Sequence, residues 1–284
     1  MKAISTKALK EVLHYFHFFN HALSAEEILR YIAVPASLEA VKEGLRLLEI
    51  EGLVYEKQGW FALDLVSLEL RIKHERLNKR RLNLARKVGR FIALFPFVRG
   101  VYLSGSLSKS GVQSKDDDLD FFILTASNRV WTAKFFLIAF KKIVLLNSEK
   151  YFCINLLMDE NRLSLTKRNR YTATEVVSLV QLKNTEGLKR FLQANQWVKA
   201  YFPNVELPEA FAVSHESTSL LERVLNRFFG EAFEQWCKER FTIHMREHTD
   251  SEEGYFEAEA HSSAYFPQSV EQRLMKHLEN FENE

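Results

Sequence analysis

Cysteine, proline and glycine are scarce in this chain. Its 284 residues contain 2 cysteines, 5 prolines and 10 glycines. Because Cys153 and Cys237 lie far apart, a disulfide framework and a zinc site built from cysteine pairs are both excluded. So little glycine and proline also excludes a collagen-like or low-complexity chain. The composition instead predicts long regular elements, mostly helices, joined by short loops.

Long hydrophobic runs are missing as well. The nearest candidate, residues 130–146, is interrupted by Lys134, Lys141 and Lys142, so it lacks the roughly 18 consecutive apolar residues that a membrane-spanning helix needs. Charged residues interleave with apolar ones in residues 1–16, which is not the pattern of a signal peptide. We therefore expect a cytoplasmic protein without a membrane partner, in keeping with the low cysteine content.

A large net charge is absent too, since the total is +2 at pH 7. The charges are nevertheless segregated along the chain. Residues 64–100 hold ten Lys or Arg against three Asp or Glu, whereas residues 247–284 hold two against ten. The sequence thus contains a basic segment and, later, an acidic tail.

Residues 1–66 carry the pattern of three helices and a β-hairpin. Apolar residues recur at helical spacing in 4–19 and 38–51, and Ser24 with Glu27 forms a capping box for a short helix between them. Two short strands are expected on either side of a turn at 57–59. Three helices and a hairpin resemble a winged-helix domain, whose third helix often enters the major groove of DNA.

The expected third helix has an unfavourable charge for DNA. Its two cations, Lys42 and Arg46, are outnumbered by four glutamates, and a polyanion is repelled by such a surface. For residues 1–66 we therefore favour a packing or protein-interaction module, with DNA binding as the weaker alternative.

Residues 67–96 are expected to form a basic helix that connects two parts of the chain. Apolar residues with helical spacing run from Leu68 to Leu94, and nine cations cover the rest of the helix. Two compatible interpretations are a solvated surface between domains and a phosphate-binding wall beside a site.

An α/β core is predicted for residues 97–165, followed by a helical region with an acidic tail at 166–284. Apolar strands are expected at 97–103, 119–124 and 151–158, with a helix at 129–146 before the third. Thr174 is expected to cap a helix that runs to Leu182. Later helices are expected at 186–201, 218–246 and 270–281. The fold class is α+β, with a mixed sheet and flanking helices.

The most informative stretch lies between the first two expected strands. The first strand runs into Gly105 and Ser106, and the second begins with Asp118 and Asp120, whose side chains share a direction because strand residues alternate. Two carboxylates so close are costly unless a cation such as Mg²⁺ neutralises them. A Gly-Ser turn lets backbone N–H groups approach a phosphate, and Lys109, in the loop that follows, is a candidate phosphate contact.

A hydrophobic strand, Gly105-Ser106, eleven residues and an Asp-Leu-Asp-Phe run at 118–121 resemble the signature of the DNA polymerase β-like nucleotidyltransferase superfamily. The resemblance implies a nucleotidyltransferase-type fold in which Asp118 and Asp120 bind Mg²⁺, or Mn²⁺. It also implies that Gly105 and Ser106 hold the β- and γ-phosphates of a nucleoside triphosphate. The implied reaction moves a nucleoside monophosphate to an acceptor hydroxyl and releases pyrophosphate.

The chain departs from that superfamily at a third carboxylate, which active members commonly carry on a later strand. There it helps to bind the catalytic metal and activates the acceptor hydroxyl. The corresponding strand, 151–158, has Asn155, and acids follow only at Asp159 and Glu160. An amide can ligate a metal but cannot act as a base. Either Asp159 or Glu160 fills the role from a shifted register, or the enzyme is weak, or the protein binds nucleotide without turnover.

The preferred function is Mg²⁺-dependent nucleotidyl transfer from a nucleoside triphosphate, with Asp118 and Asp120 as the catalytic pair. The acceptor stays open among a small molecule such as an aminoglycoside, an RNA end and a protein side chain. The alternative is a catalytically weak or inactive regulator that senses nucleotide and binds DNA or a protein partner through residues 1–66.

Overall fold

The computed structural model describes residues 4–144, 151–209, 219–248, 255–266 and 268–282. These residues form an α+β fold, in which helices flank a six-stranded mixed sheet and a two-stranded hairpin forms a second sheet. In this part of the chain no helix is both long and apolar enough to span a bilayer. The expected fold class is confirmed at this level.

Three helices and a hairpin come first, as predicted. They are α1 (Thr6–His17), α2 (Ala25–Tyr31), α3 (Leu38–Ile50), β1 (Tyr55–Lys57) and β2 (Trp60–Ala62). The capping box at α2 is present, because Glu27 N donates to Ser24 Oγ and Ser24 N donates to Glu27 Oε2. Gln58 and Gly59 turn the hairpin with φ values of 58° and 83°, a left-handed pair typical of tight hairpin turns.

The expected basic helix is α4 (Leu65–Ile92). Asp64 caps it by accepting a hydrogen bond from Ser67 N at 2.8 Å. The exposed surface of α4 carries the cations Lys73, Arg76, Lys79, Arg80, Arg86, Lys87 and Arg90. Arg71 and Arg81 are buried instead, so the helix does not present all of its cations to solvent.

The six-stranded sheet begins after α4. It contains β3 (Val98–Leu103), β4 (Asp120–Thr125) and β5 (Cys153–Asp159), with the short α5 (Gly105–Ser108) after β3 and α6 (Val130–Val144) between β4 and β5. β3 and β4 are antiparallel, whereas β4 and β5 are parallel and α6 connects them. These elements agree with the prediction to within two residues. Positions 145 and 146 of the expected helix lie outside the described residues.

The last region adds both helices and strands. They are α7 (Arg170–Val177), β6 (Val180–Lys183), α8 (Thr185–Ala194), a 3₁₀ turn (Gln196–Ala200), α9 (Leu220–Phe228), α10 (Glu231–His248), β7 (Tyr255–Ala258), β8 (Ser262–Phe266) and α11 (Gln268–Glu282). The strand order of the sheet is β6-β3-β4-β5-β8-β7. The region after residue 165 therefore contributes both edges of the sheet.

The expectation that residues 166–284 form a helical region is wrong in three places. Thr174 lies inside α7, which is capped by Asn169 accepting from Thr172 N at 2.8 Å, and residues 180–183 form a strand. Residues 255–266 form a hairpin in the acidic tail, where no strand was expected. The missed strands have one cause, because pairing with β3 and β5 is a long-range contact that local periodicity does not reveal.

The two faces of the sheet belong to two hydrophobic cores. Tyr102 and Phe122 face a core shared with α1, α2, α3, α7, α8 and α11. Leu103 and Phe121 face another, shared with α4, α6 and α10. Alternation along each strand separates these two sets of side chains. The N-terminal helices thus share a core with the sheet, on the face that carries Phe122.

Candidate functional site

The Gly-Ser turn after β3 packs directly against the first residue of β4. Gly105 has a φ of +65° and lies so close to Asp120 that a Cβ atom at position 105 would overlap the Oδ2 atom of that carboxylate. Ser104 N donates to Asp120 O at 2.9 Å. Glycine is therefore required at position 105, and the expected phosphate-binding turn touches the expected metal-binding carboxylate.

Asp120 is a partly buried carboxylate with other charges around it. Burial above all, and then the charges of Asp118 and Glu175, raises its pKa from 3.8 to about 6. A hydrogen bond with Cys153 and the charge of Lys109 act in the opposite direction. A carboxylate in these surroundings is stabilised in its charged form by a bound cation.

Asp118 lies two residues before β4, in the loop that follows α5. Its charge contributes to the raised pKa of Asp120, which lies two residues further along the chain. Asp117 stabilises the loop instead. Its Oδ2 atom accepts hydrogen bonds from Gln113 N at 2.9 Å and from Ser114 N at 3.1 Å, both within the same loop.

Lys109 is paired with a carboxylate that the sequence does not single out. Its Nζ atom lies 2.9 and 3.0 Å from the two carboxylate oxygens of Glu175, on α7. In the sequence Glu175 is an ordinary helical glutamate with no motif around it. It reaches the site because β6 pairs with β3 next to α7, and no local signal predicts that pairing.

The strand expected to carry a third carboxylate brings Asn155 to the site instead. Cys153 of β5 pairs with Asp120 of β4. Asp159 and Glu160 lie at the opposite end of β5, and six residues of strand place Asp159 about 20 Å from that pair. The register therefore excludes Asp159 and Glu160 as replacements for the third carboxylate.

A β-bulge accounts for the position of Asn155. Phe121 pairs with Ile154 and Phe122 pairs with Leu156, so Asn155 is an extra residue in β5. A bulge redirects side chains that would otherwise alternate between the two faces of a sheet. Both Asn155 and Leu156 consequently line the same cavity.

This cavity has a volume of about 360 Å³ and lies between the sheet and the helices that cover it. Its polar end is lined by Ser104, Gly105, Ser106, Lys109, Asp120, Asn155 and Glu175. Its apolar part is lined by Phe16 and Phe19 at α1, Phe122 of β4, Leu156 of β5, Val176 of α7, Phe191 of α8 and Val270 of α11. Of the five residues singled out in the sequence, Asp118 is the one that does not line it.

A buried hydroxyl without a partner lies at the polar end. Ser104 is 8% exposed, and its Oγ atom forms no hydrogen bond with the described residues. Burying an unsatisfied hydroxyl costs about 1–3 kcal/mol. A polar ligand group at this end of the cavity would remove that cost.

One side of α4 holds the backbone of the loop 109–117. Three buried side chains on that side, Arg71, Asn78 and Arg81, donate to backbone carbonyls of the loop. Asn78 Oδ1 also accepts from Val112 N at 3.1 Å. No residue of α4 lines the cavity, so this helix supports the site through the loop.

Arg71 also connects this loop with the N-terminal helices. Its guanidinium donates to His21 Nε2 at 2.7 Å and to Glu27 Oε1 at 3.0 Å, and it lies 4.1 Å from the centre of the Trp60 ring. Burial first, and then the charge of Arg71, lowers the pKa of His21 well below its usual value. His21 therefore accepts this hydrogen bond as a neutral imidazole.

The donor atoms at Asp118 and Asp120 are carboxylate oxygens, which suit a hard cation such as Mg²⁺. Within the described ranges no three His, Cys, Asp or Glu side chains are grouped closely enough to hold a metal ion by themselves. Mg²⁺ is commonly bound by one or two carboxylates together with the phosphates of a substrate. The carboxylate pair fits that mode, in which the metal and the nucleotide arrive together.

No protein-family model matches this chain, and neither does any curated protein or solved structure.

Proposed function

We propose that the protein is a nucleotidyltransferase that moves a nucleoside monophosphate from a nucleoside triphosphate to an acceptor hydroxyl. The contact between Gly105 and Asp120 carries this proposal, because it places a turn suited to phosphate beside a carboxylate suited to a divalent cation. The motif and the mixed sheet support a nucleotidyltransferase-type core. The three helices and hairpin support a winged-helix-like module at residues 1–66.

In this proposal Asp118 and Asp120 hold Mg²⁺ or Mn²⁺. The bound ion supplies positive charge that neutralises the triphosphate and the charge developing during transfer. The backbone N–H groups of Gly105 and Ser106 bind the β- and γ-phosphates, since the first N–H groups of a helix have no acceptor within it.

Lys109 and Glu175 act as a pair at the other side of the polar end. When a triphosphate binds, the Lys109 ammonium moves from Glu175 to a phosphate oxygen. The Glu175 carboxylate is then free to take the proton of the acceptor hydroxyl. Glu175 thereby supplies, from a helix, the base that β5 does not provide.

The test is transfer of label from each α-³²P nucleoside triphosphate, with Mg²⁺ or Mn²⁺, in the presence of cell extract. We expect labelled acceptor and pyrophosphate with the wild-type chain and neither with Asp120→Asn. Asp116→Asn is the matched control, because Asp116 is an exposed carboxylate of the same loop. Metal-dependent triphosphate binding that persists in Asp120→Asn would contradict the proposed site.

Asn155 favours a second candidate, a regulator that binds nucleotide without turnover. Its amide replaces the acid that the superfamily pattern leads us to expect, and an amide cannot act as a base. This candidate requires triphosphate binding without label transfer, and a DNA or protein partner at residues 1–66. A salt titration against DNA tests the DNA branch, since binding through phosphates weakens steeply as salt rises.

A further inference from the structure

The apolar part of the cavity lies on one particular side of Asp120. Gly105 follows the last residue of β3 and contacts the Asp120 carboxylate at the first residue of β4. Phe122 lies two residues inward on the same face of β4, and Leu156 and Phe191 lie beside it in the cavity. Asp120 therefore separates the turn from the apolar part.

This arrangement distinguishes the two substrates of the proposed reaction. The leaving pyrophosphate belongs at the Gly-Ser turn, which would bind the β- and γ-phosphates. Phosphoryl-type transfer places the attacking oxygen and the leaving oxygen roughly in line across the phosphorus. The acceptor oxygen must then approach from the other side of Asp120, where the cavity is apolar.

The charges in the cavity point against a polycationic acceptor. Asp120 and Glu175 are its lining carboxylates, and Asp120 holds the metal ion in the proposed reaction. An aminoglycoside would bring several ammonium groups toward few free carboxylates and one lysine. Its size also counts, because about 360 Å³ is at the small end for ligand pockets.

We propose that the acceptor is a small molecule with an apolar body and one hydroxyl group, bound with its hydroxyl between Asp120 and Glu175 and its body against Phe122 and Phe191. This inference rests on the proposed nucleotidyltransferase function. In the reaction the acceptor oxygen bonds to the α-phosphorus, and the bond from that phosphorus to the bridging oxygen of the pyrophosphate breaks. The hydroxyl proton passes to the Glu175 carboxylate.

Binding of the neutral probe N-phenyl-1-naphthylamine to the full chain tests the apolar part by fluorescence. We expect saturable binding with one site per chain. Val270→Trp should raise the Kd of the probe about tenfold or more by filling the cavity. Met275→Trp, at an exposed position on the same helix, should change it less than about twofold. Leu179→Trp fills the cavity from another segment and replaces Val270→Trp if circular dichroism shows that the latter is unfolded.

Displacement of the probe tests the chemistry of the acceptor. We expect 3-phenyl-1-propanol to displace it, and kanamycin and adenosine to leave it bound. Displacement by kanamycin would overturn the inference in favour of a polycation, and displacement by adenosine would assign the apolar part to the nucleobase. Absence of saturable binding to the folded chain, or no displacement by the alcohol, would also overturn it.

Asp120→Asn separates this inference from the function on which it rests. The variant should lose metal-dependent triphosphate binding and keep the probe. If the wild-type chain binds the probe but no triphosphate, the proposed function is wrong, and the conclusion that the cavity binds an apolar molecule stands. If it binds triphosphate but not the probe, the acceptor class is wrong while the function stands.

Discussion

At the scale of single residues, Gly105 matters because the carboxylate of Asp120 occupies the place of its side chain. We expect Gly105→Ala to raise the Kd for Mg²⁺-triphosphate at least about tenfold, measured by calorimetry. The matched control is Gly52→Ala. Gly52 has a similar φ of +71° but nothing within 4 Å of an added Cβ, so it introduces the same backbone strain away from the site. Equal effects of the two variants on binding would contradict the contact argument.

His14 is one residue at which the structure predicts a dependence of stability on pH. Burial first, and then the charges of His277, His17 and Lys10, lowers its pKa from 6.5 to about 4. Between these values the unfolded chain binds more protons than the folded chain, so the free energy of unfolding falls as pH falls from 6.5 towards 4.

Replacing His14 by Gln should flatten this part of the profile, as measured by the melting temperature at half-unit pH steps. His244→Gln is the control, because His244 is exposed on α10 and should leave the slope as it is. An unchanged slope in His14→Gln would assign the acid sensitivity to other groups.

At the scale of elements, α4 supports the site by holding the loop 109–117, although no residue of α4 lines the cavity. Asn78 is 6% exposed and both donates to Val112 O and accepts from Val112 N. We expect Asn78→Ala to lower the free energy of unfolding by about 1–3 kcal/mol and to speed hydrogen exchange in residues 109–117. Asn83→Ala, at an exposed position of the same helix, should do neither. Unchanged exchange in the loop would show that its order comes from elsewhere.

Elements with strong local signals were predictable from the sequence, and elements defined by long-range pairing were not. The Ser24 capping box, the turn at Gly59 and the cations of α4 each mark an element by themselves. The four residues of β6 have a hydrophobic pattern that is compatible with a helix as well as a strand. Pairing with β3 determines that they form a strand. Because Glu175 depends on that pairing for its position, local signals could not include it in the site.

At the scale of the whole molecule, residues 4–62 and the sheet share one hydrophobic core. We therefore expect the full chain to unfold in a single cooperative transition, with far-ultraviolet circular dichroism and tryptophan fluorescence giving the same midpoint. A chain lacking residues 1–66 should not fold cooperatively, since it would expose Phe122 and Phe191. Two separate transitions in the full chain would show that residues 1–66 are an independent domain.

The cavity is lined by segments that the ribosome synthesises at different times. Phe16 and Val270 both line it, and a ribosome that adds about 5–20 residues per second needs roughly 10–50 s to pass from one to the other. During that interval the aromatic side of α1 has no partner from α11. A nascent chain therefore exposes these aromatic side chains early and completes the cavity late, so chaperones that recognise exposed aromatic residues have time to act on it before the fold is complete.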